Sequence, residues 1–215
     1  MVAVAVSTAW GCTKYAEPDK LLPVRIGWQV AVAPQAQIAQ VFTHTDILQR
    51  NGFSGRLHSF SYGAPEVDAA LADELDAFFC GDQPTVNLLA RGAPWKIIGR
   101  IARGRGALMV PLRSPIKSVA DLLHKRVAVP FGSVAHRDAV FVEKEAQLNP
   151  GKDVTNLNLD ILEIAALVQR GGEQKWDNID AIALWDPSVT LFEHQQLARS
   201  VREMPYVNLV VISEK

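Results

Sequence analysis

Arg126-Val127-Ala128-Val129-Pro130-Phe131-Gly132-Ser133-Val134-Ala135-His136-Arg137-Asp138 reads as a buried strand, a tight turn and the opening of a helix. Val127, Ala128 and Val129 are apolar and partly β-branched, which suits a strand covered on both faces. Pro130 stops the strand, because its nitrogen has no proton for the ladder. Gly132 permits a tight turn, and Ser133 is placed to accept a hydrogen bond from an early helical N–H. A helix entered this way turns free N–H groups and the positive end of its dipole towards whatever lies above the strand. His136 falls in that first turn.

The same unit recurs along the chain. Strands are expected at 24–30, 56–62, 75–81, 95–100, 107–112, 156–159, 179–184 and 207–212. Helices are expected between most of them. One spans 35–50, with Ile38, Val41, Phe42 and Ile47 as its buried stripe. Others open at Gly63-Ala64-Pro65, at Asp82-Gln83-Pro84, at Ser118, at Ser133, at Ile161 and at Pro187, the last running to about Arg199. Arg103-Gly104-Arg105-Gly106 reads as a solvated loop between two strands. Strands alternating with helices give an α/β fold with largely parallel sheets, whose ligands bind at the carboxyl ends of strands. Four strand ends carry a small or capping residue before a helix: Ser61-Tyr62-Gly63, Gly81-Asp82-Gln83-Pro84, Gly132-Ser133 and Trp185-Asp186-Pro187.

Composition narrows the function. The 215 residues are 48% hydrophobic and 21% charged, with a net charge of -1, so no basic field argues for nucleic acid. No apolar run is long enough to span a bilayer as a helix. The two cysteines, Cys12 and Cys80, form no C-x-x-C pair and join no metal-ligand cluster, so neither metal nor cofactor is expected. Met1 to Cys12 is small and apolar, and Gly11-Cys12 ends it like a lipoprotein signal. Residues 1–20 are read as a candidate signal or lipoprotein tether; the alternatives are a buried first strand or a misassigned start.

Further motifs, in order, are Arg25-Ile26-Gly27-Trp28-Gln29; Leu75-Asp76-Ala77 with Gly81-Asp82-Gln83-Pro84; Ala90-Arg91-Gly92-Ala93-Pro94-Trp95; Ser114-Pro115-Ile116-Lys117-Ser118-Val119-Ala120-Asp121-Leu122; and Asp180-Ala181-Ile182-Ala183-Leu184-Trp185-Asp186-Pro187. Together with the stretch from Val127 to His136, they make residues 24–215 resemble the type 2 periplasmic solute-binding proteins of ABC importers. Within these, the chain is similar to the nitrate/sulfonate/taurine, NMT1/THI5-like branch. The resemblance implies two α/β lobes closing on a solute: 21–109 plus 206–215 as the first, 110–205 as the second. Hinge strands would cross near Ala107–Leu112 and Pro205. It implies ligand contacts at Gln29, Gly81, Asp82, Gln83, Gly132, Ser133, His136, Trp185 and Asp186. It also implies an ABC permease and ATPase as partners, a monomer, and a place in the periplasm or on the outer membrane face as a lipoprotein. Family members continue past the final strand with several helices, so the resemblance further implies that the chain is truncated at Lys215.

Residue chemistry refines these roles. Gln29 and Gln83 are neutral donors suited to an oxyanion. His136 pairs with an anion as imidazolium, or packs as an ordinary helix residue. Asp82 repels a sulfonate; it caps its own helix or meets the amine of a zwitterion such as taurine. Asp186 reads as the cap of the helix that Pro187 enters. Trp185 stacks on a ligand or packs at the hinge. The reading that follows is a non-enzymatic binding component for a small anionic or zwitterionic solute. Two alternatives stand: a desulfinase-like enzyme on the same fold, with Cys80 as nucleophile and His136 as base, and a cytosolic sensor or non-functional fragment.

Overall fold

The computed structural model of the protein describes residues 21–215. The export signal and tether expected over 1–20, with Cys12, lie outside the described residues.

The chain runs β1 (Leu22–Gln29), α1 (Ala33–His44), α2 (Ile47–Arg50), β2 (Phe53–Phe60), α3 (Gly63–Leu71), β3 (Ala77–Gly81) and α4 (Asp82–Ala90). Next come β4 (Trp95–Pro111), a 3-10 turn at Val119–Leu122, β5 (Arg126–Val129) and α5 (Val134–Glu145). β6 (Thr155–Asn158), α6 (Ile161–Gly171), β7 (Ala181–Trp185), α7 (Ser188–His194) and β8 (Ala198–Ser213) complete the order. Local chemistry explains the starts. Pro34 sits in the first turn of α1. Ser133 caps α5 by accepting from the His136 N–H. Asp160 and Glu163 form a reciprocal capping box on α6.

One mixed sheet holds all eight strands, in the order β2-β1-β3-β8-β4-β7-β5-β6. The outer pairings are parallel: β1 with β2 and β3, β5 with β6 and β7. The central ones, β3 with β8, β8 with β4 and β4 with β7, are antiparallel. Two apolar cores flank this centre. The smaller gathers Val67, Leu75, Phe78, Leu88, Trp95 and Val211, with the Phe78 and Trp95 rings edge to face at 5.1 Å. The larger gathers Leu108, Val127, Ile164, Trp176, Ile182 and Leu184. β4 contributes Trp95 to the smaller core and Ala107 to Val110 to the larger. β8 does the reverse, with Met204 and Tyr206 in the larger and Val211 in the smaller. The strands therefore cross from one core to the other where Arg103, Gly104 and Arg105 pair with Val207, Tyr206 and Pro205.

Several sequence expectations are corrected here. The strands expected at 95–100 and 107–112 are one strand, and Arg103-Gly104-Arg105-Gly106 lies inside it rather than in a loop. Arg105 is held by three carboxylates, Asp186 at 3.2 Å, Glu193 at 2.9 Å and Glu203 at 2.8 Å. Burial opposes its charge, but hydrogen bonds to Asp186 and Glu193 hold its pKa above the ordinary value. The last helix ends at His194 instead of Arg199, and the final strand begins at Ala198 instead of Val207. The helix expected over 35–50 breaks at Thr45, whose extended backbone ends α1. Its assigned stripe is not all inward: Val41 is 47% exposed.

The crossing is tightly packed at one point. A Cβ on Gly104 would fall 2.2 Å from the Tyr206 ring, so only glycine lets that ring lie against the strand. Replacing Gly104 with Ala should cost about 1–3 kcal/mol through overpacking. In the Y206A background the same change should cost clearly less, a coupling that urea unfolding of the single and double variants would reveal.

Candidate functional site

The loops at the ends of β1, β3, β5 and β7 converge where the two cores meet. They enclose a cavity lined by Gln29, Val32, Gly63, Gly81, Pro84, Ser133, Val134, Trp185, Tyr206 and Asn208. Its volume is about 10 Å³, room for roughly one water molecule. The N-termini of α4 and α5 meet across it so closely that a Cβ on Gly81 would come within 2.7 Å of Val134. Glycine at the start of α4 is thus what allows the two helix ends to touch.

Polar contacts tie the two sides together around this cavity. Arg137 on α5 reaches Asp82 at the start of α4 at 2.7 Å. Trp185 donates its indole N–H to the Ala31 carbonyl at 3.1 Å. Ser61 donates to Asp160 at 2.6 Å. Each joins a residue of the first half of the chain to one of the second.

Of the residues expected at the site, Gln29, Gly81, Ser133 and Trp185 line the cavity. Ser133 is occupied as a cap: it accepts from the His136 N–H and donates to the Pro130 carbonyl. Gly132, His136 and Gln83 border a shallow groove on the outer side of the same helix ends, with Arg137 and Lys144. His136 stacks flat on Phe131 at 4.3 Å, and its Nδ1 faces the Gly132 N–H at 3.2 Å. A ring nitrogen that accepts from a backbone N–H carries no proton. Burial also lowers the His136 pKa, so geometry and burial both disfavour the imidazolium expected to pair with an anion. Gln83 turns along its own helix to Asn87. Asp82 accepts from the Gln83 N–H, from Arg137 and from the Val207 N–H; its charge is met by protein groups rather than left for an amine. Asp186 lies outside the cavity lining, where it caps α7 through Thr190 and pairs with Arg105.

The sequence reading overlooked the floor of the site. The Gln29 N–H donates to Gln35 Oε1 at 2.8 Å, and Gln35 Nε2 donates to Asn208 Oδ1 at 3.0 Å. Because the chain begins at a backbone donor, both amide orientations follow: Asn208 presents its NH2 beside Tyr206. Burial raises the Tyr206 pKa to about 12, against the hydrogen bond to Asn208, so the phenol stays a neutral donor. The side-chain amide of Gln29, expected to donate to an oxyanion, points its nitrogen the other way. Nε2 is 2.7 Å from Glu66, 3.3 Å from the Cys80 sulfur and 3.4 Å from the Phe79 carbonyl. One signal for this network was available: Asn208 is a lone amide in the otherwise apolar run 207–212.

Glu66 is fully buried, and burial pushes its pKa up to about 8 despite hydrogen bonds from Gln29 and Cys80. The Cys80 thiol is pushed well above its ordinary value, by burial first and then by Glu66. A thiol so placed is a poor nucleophile. His136 is engaged with Gly132 and Phe131 instead. Among the described residues, no group of three or more His, Cys, Asp or Glu side chains gathers to hold a metal, and no helix is long and apolar enough to cross a membrane.

No family model matches the chain. Among curated proteins it is similar to a Bacillus subtilis protein provisionally named as binding aliphatic sulfonates, 27% identical over 174 residues, which are 80% of this chain and 50% of that protein. It is also similar to the taurine-binding periplasmic protein of Escherichia coli, 25% identical over 170 residues, 79% of this chain and 50% of the relative. The chain thus spans about half the length of the curated relatives it matches. Among solved structures, the alkanesulfonate-binding protein of Xanthomonas axonopodis bound to MOPS superposes with a TM-score of 0.73 at 25% identity, over 93% of this chain and 67% of that one. The α/β fold of periplasmic binding proteins expected from the sequence is borne out by this superposition, and the curated proteins to which the chain is similar are named for aliphatic sulfonates and taurine.

The buried carboxyl makes stability depend on pH. Folded, Glu66 keeps its proton up to about 8; its ordinary value is 4.5. Between these limits the folded state binds the extra proton, so this group's contribution is whole below the lower value and is lost as pH rises through the upper. The E66Q chain lacks the proton. In urea unfolding, wild type should lose stability relative to E66Q by about 1.4 kcal/mol per pH unit across that window. A difference that does not change with pH would mean that Glu66 ionises normally in the fold.

Proposed function

We propose that the chain captures a small sulfonate, aminosulfonate or similar oxyanion between two α/β jaws, 21–109 with 206–215 and 110–205, and delivers it to an ABC permease and its ATPase. The observation that carries this reading is the buried cavity at the junction of the jaws. Two helix N-termini meet there, and neutral donors line it. Helix ends favour negative charge, and Asn208 and Tyr206 supply polar contacts without a fixed cation. The two curated relatives are named for aliphatic sulfonates and taurine, and the superposed structure for alkanesulfonate.

With room for about one water, the cleft is closed. A solute enters when Asp82 and Arg137, Ser61 and Asp160, and Trp185 and Ala31 part. It is then enclosed as these contacts re-form, a hinge closure about β4 and β8. Gln29, Gly81, Ser133 and Trp185 are the contacts in the closed form. Gly132, Gln83 and His136 border the entrance, Asp82 belongs to the closing contacts, and Asp186 braces the hinge through Arg105. The work is done in the periplasm or at the outer membrane face, with 1–20 as export signal or tether. No catalytic step is assigned: the buried Cys80 thiol and the engaged His136 fit packing better than turnover.

Binding stabilises only the folded state, so the ligand should raise the melting temperature. At a hundredfold excess over Kd the gain is about 2.7 kcal/mol, or roughly 5–10 °C for a chain of this size. The measurement is a thermal melt of the full chain with taurine, ethanesulfonate, MOPS and nitrate. Absence of any shift with all four at roughly 10 mM would sink the reading.

A further inference from the structure

The buried carboxyl beneath the cleft has no place in solute capture as described so far. Glu66 sits on α3, fully buried, with one oxygen 2.7 Å from Gln29 Nε2 and the other without a partner. Desolvating a carboxyl in this way is costly, and an apolar side chain would fill the same space without that cost. Its geometric effect is on Gln29. The carboxamide nitrogen is engaged by Glu66, Cys80 and the Phe79 carbonyl, none of which borders the cavity. The Phe79 carbonyl, an acceptor only, lies at 3.4 Å and favours the same end weakly; the 2.7 Å contact to Glu66 is the main hold on the amide. What remains is Oε1, the other end of the amide, on a residue that lines the cavity.

The cleft then has two unlike poles. Asn208 Nδ2 and the Tyr206 hydroxyl are donors, with their orientation fixed through Gln35. Gln29 Oε1 is an acceptor. A bare alkanesulfonate offers acceptors to the donor pole and nothing to the other. Against it, an unpaired buried carbonyl loses its interaction with water and gains none, which is the strongest form of hydrogen-bond discrimination.

We propose that Glu66 is a positioning residue that turns the Gln29 carbonyl into the cleft, and so selects a solute carrying an N–H donor beside its anionic group, an aminosulfonate over the plain sulfonate. The inference rests on the solute-capture reading above. It adds to that reading the class of solute and a residue that never touches it.

Taurine and ethanesulfonate share the two-carbon sulfonate and differ in the amine, so their affinity ratio reports the acceptor pole. Titration calorimetry of the full chain should give wild type a preference for taurine of roughly tenfold or more. Glu66→Leu releases the Gln29 amide, and the ratio should fall to within about threefold, mainly through loss of taurine affinity. Glu66→Gln still offers an oxygen to Gln29 Nε2 and should keep the wild-type ratio. A purely structural role would weaken both solutes together and leave the ratio alone, which would overturn the proposal. So would equal binding of the two solutes by wild type. If neither binds any variant, this proposal fails, and the four-solute melt above decides separately whether solute capture fails with it. Should Glu66→Leu not fold, the wild-type chain still decides the matter. In ¹⁵N spectra the Gln29 NH2 resonances should exchange slowly and hold their position when taurine is added, because the oxygen meets the solute. Large shifts of those resonances, or rapid exchange before addition, would overturn the assignment.

Discussion

The antiparallel pairing of Trp95–Pro111 with Ala198–Ser213 is the interaction on which the other features depend. The ladder runs from Trp95 opposite Ser213 to Pro111 opposite Ala198. Both strands are longer than either core needs. Each therefore enters the two cores in turn, and neither core has a complete sheet without them. The helix starts at Asp82 and Val134 face each other because they hang from strands on opposite sides of this pair. Register shifts at Ile97, Arg100 and Leu108 interrupt the ladder. Such irregularities bend a strand and increase its twist, which suits a pair that must serve two packing directions. The bracing at the crossing comes from Arg105, whose carboxylate partners sit on the loop after β7, on α7 and on β8.

Charge is distributed around the cleft rather than inside it. Arg137 is shared between Asp82 and Asp138. Asp138 is almost fully buried; burial raises its pKa, and Arg137 offsets that in part. Arg137 is thus held by two carboxylates, and the residues that line the cavity are formally neutral. In such a setting, selectivity falls to dipoles and to which end of each amide faces inward. Neutral, directional groups discriminate by geometry, and a mismatched solute is rejected through the polar atoms it leaves unpaired.

How much of this was legible in the sequence differs by element. Val127–Val129 and Ala181–Leu184 were plain, because strands buried on both faces are uninterrupted apolar runs. Ser133 marked its helix start and caps it, because capping is local chemistry; Asp82, expected as a cap, is instead the first residue inside its helix, whose N-cap is Gly81. The crossing strand was hidden. Arg103-Gly104-Arg105-Gly106 has the composition of a loop, and the reasons it is a strand lie far away: Tyr206 covers Gly104, and Glu203 holds Arg105 from 98 residues on. At the site, residue choice was legible where side-chain direction was not. Gln29 was identified as a cleft residue, yet Glu66, 37 residues later, decides which face of its amide looks inward. Tyr206 and Asn208 escaped notice because they belong to a strand whose start was placed at Val207, so its cavity-facing end was not seen to border a site.

Glu66 ties stability to specificity. A carboxyl kept neutral by burial is stable only while protonated, so the fold gives up stability as pH rises to hold it there. Gln29 has two amide rotamers that fill the same volume and differ only in which atom faces the cavity. Packing alone does not separate them. A hydrogen-bonding group behind the amide does: Glu66 accepts from Gln29 Nε2 at 2.7 Å, with the more distant Phe79 carbonyl at 3.4 Å favouring the same rotamer. Each link of the floor works this way: the Gln29 N–H orients Gln35, Gln35 orients Asn208, and Glu66 orients Gln29. A neutral cleft acquires a definite donor end and a definite acceptor end only through these buried partners, which is a physical reason for a costly polar network to lie where a hydrophobic floor would have packed as well.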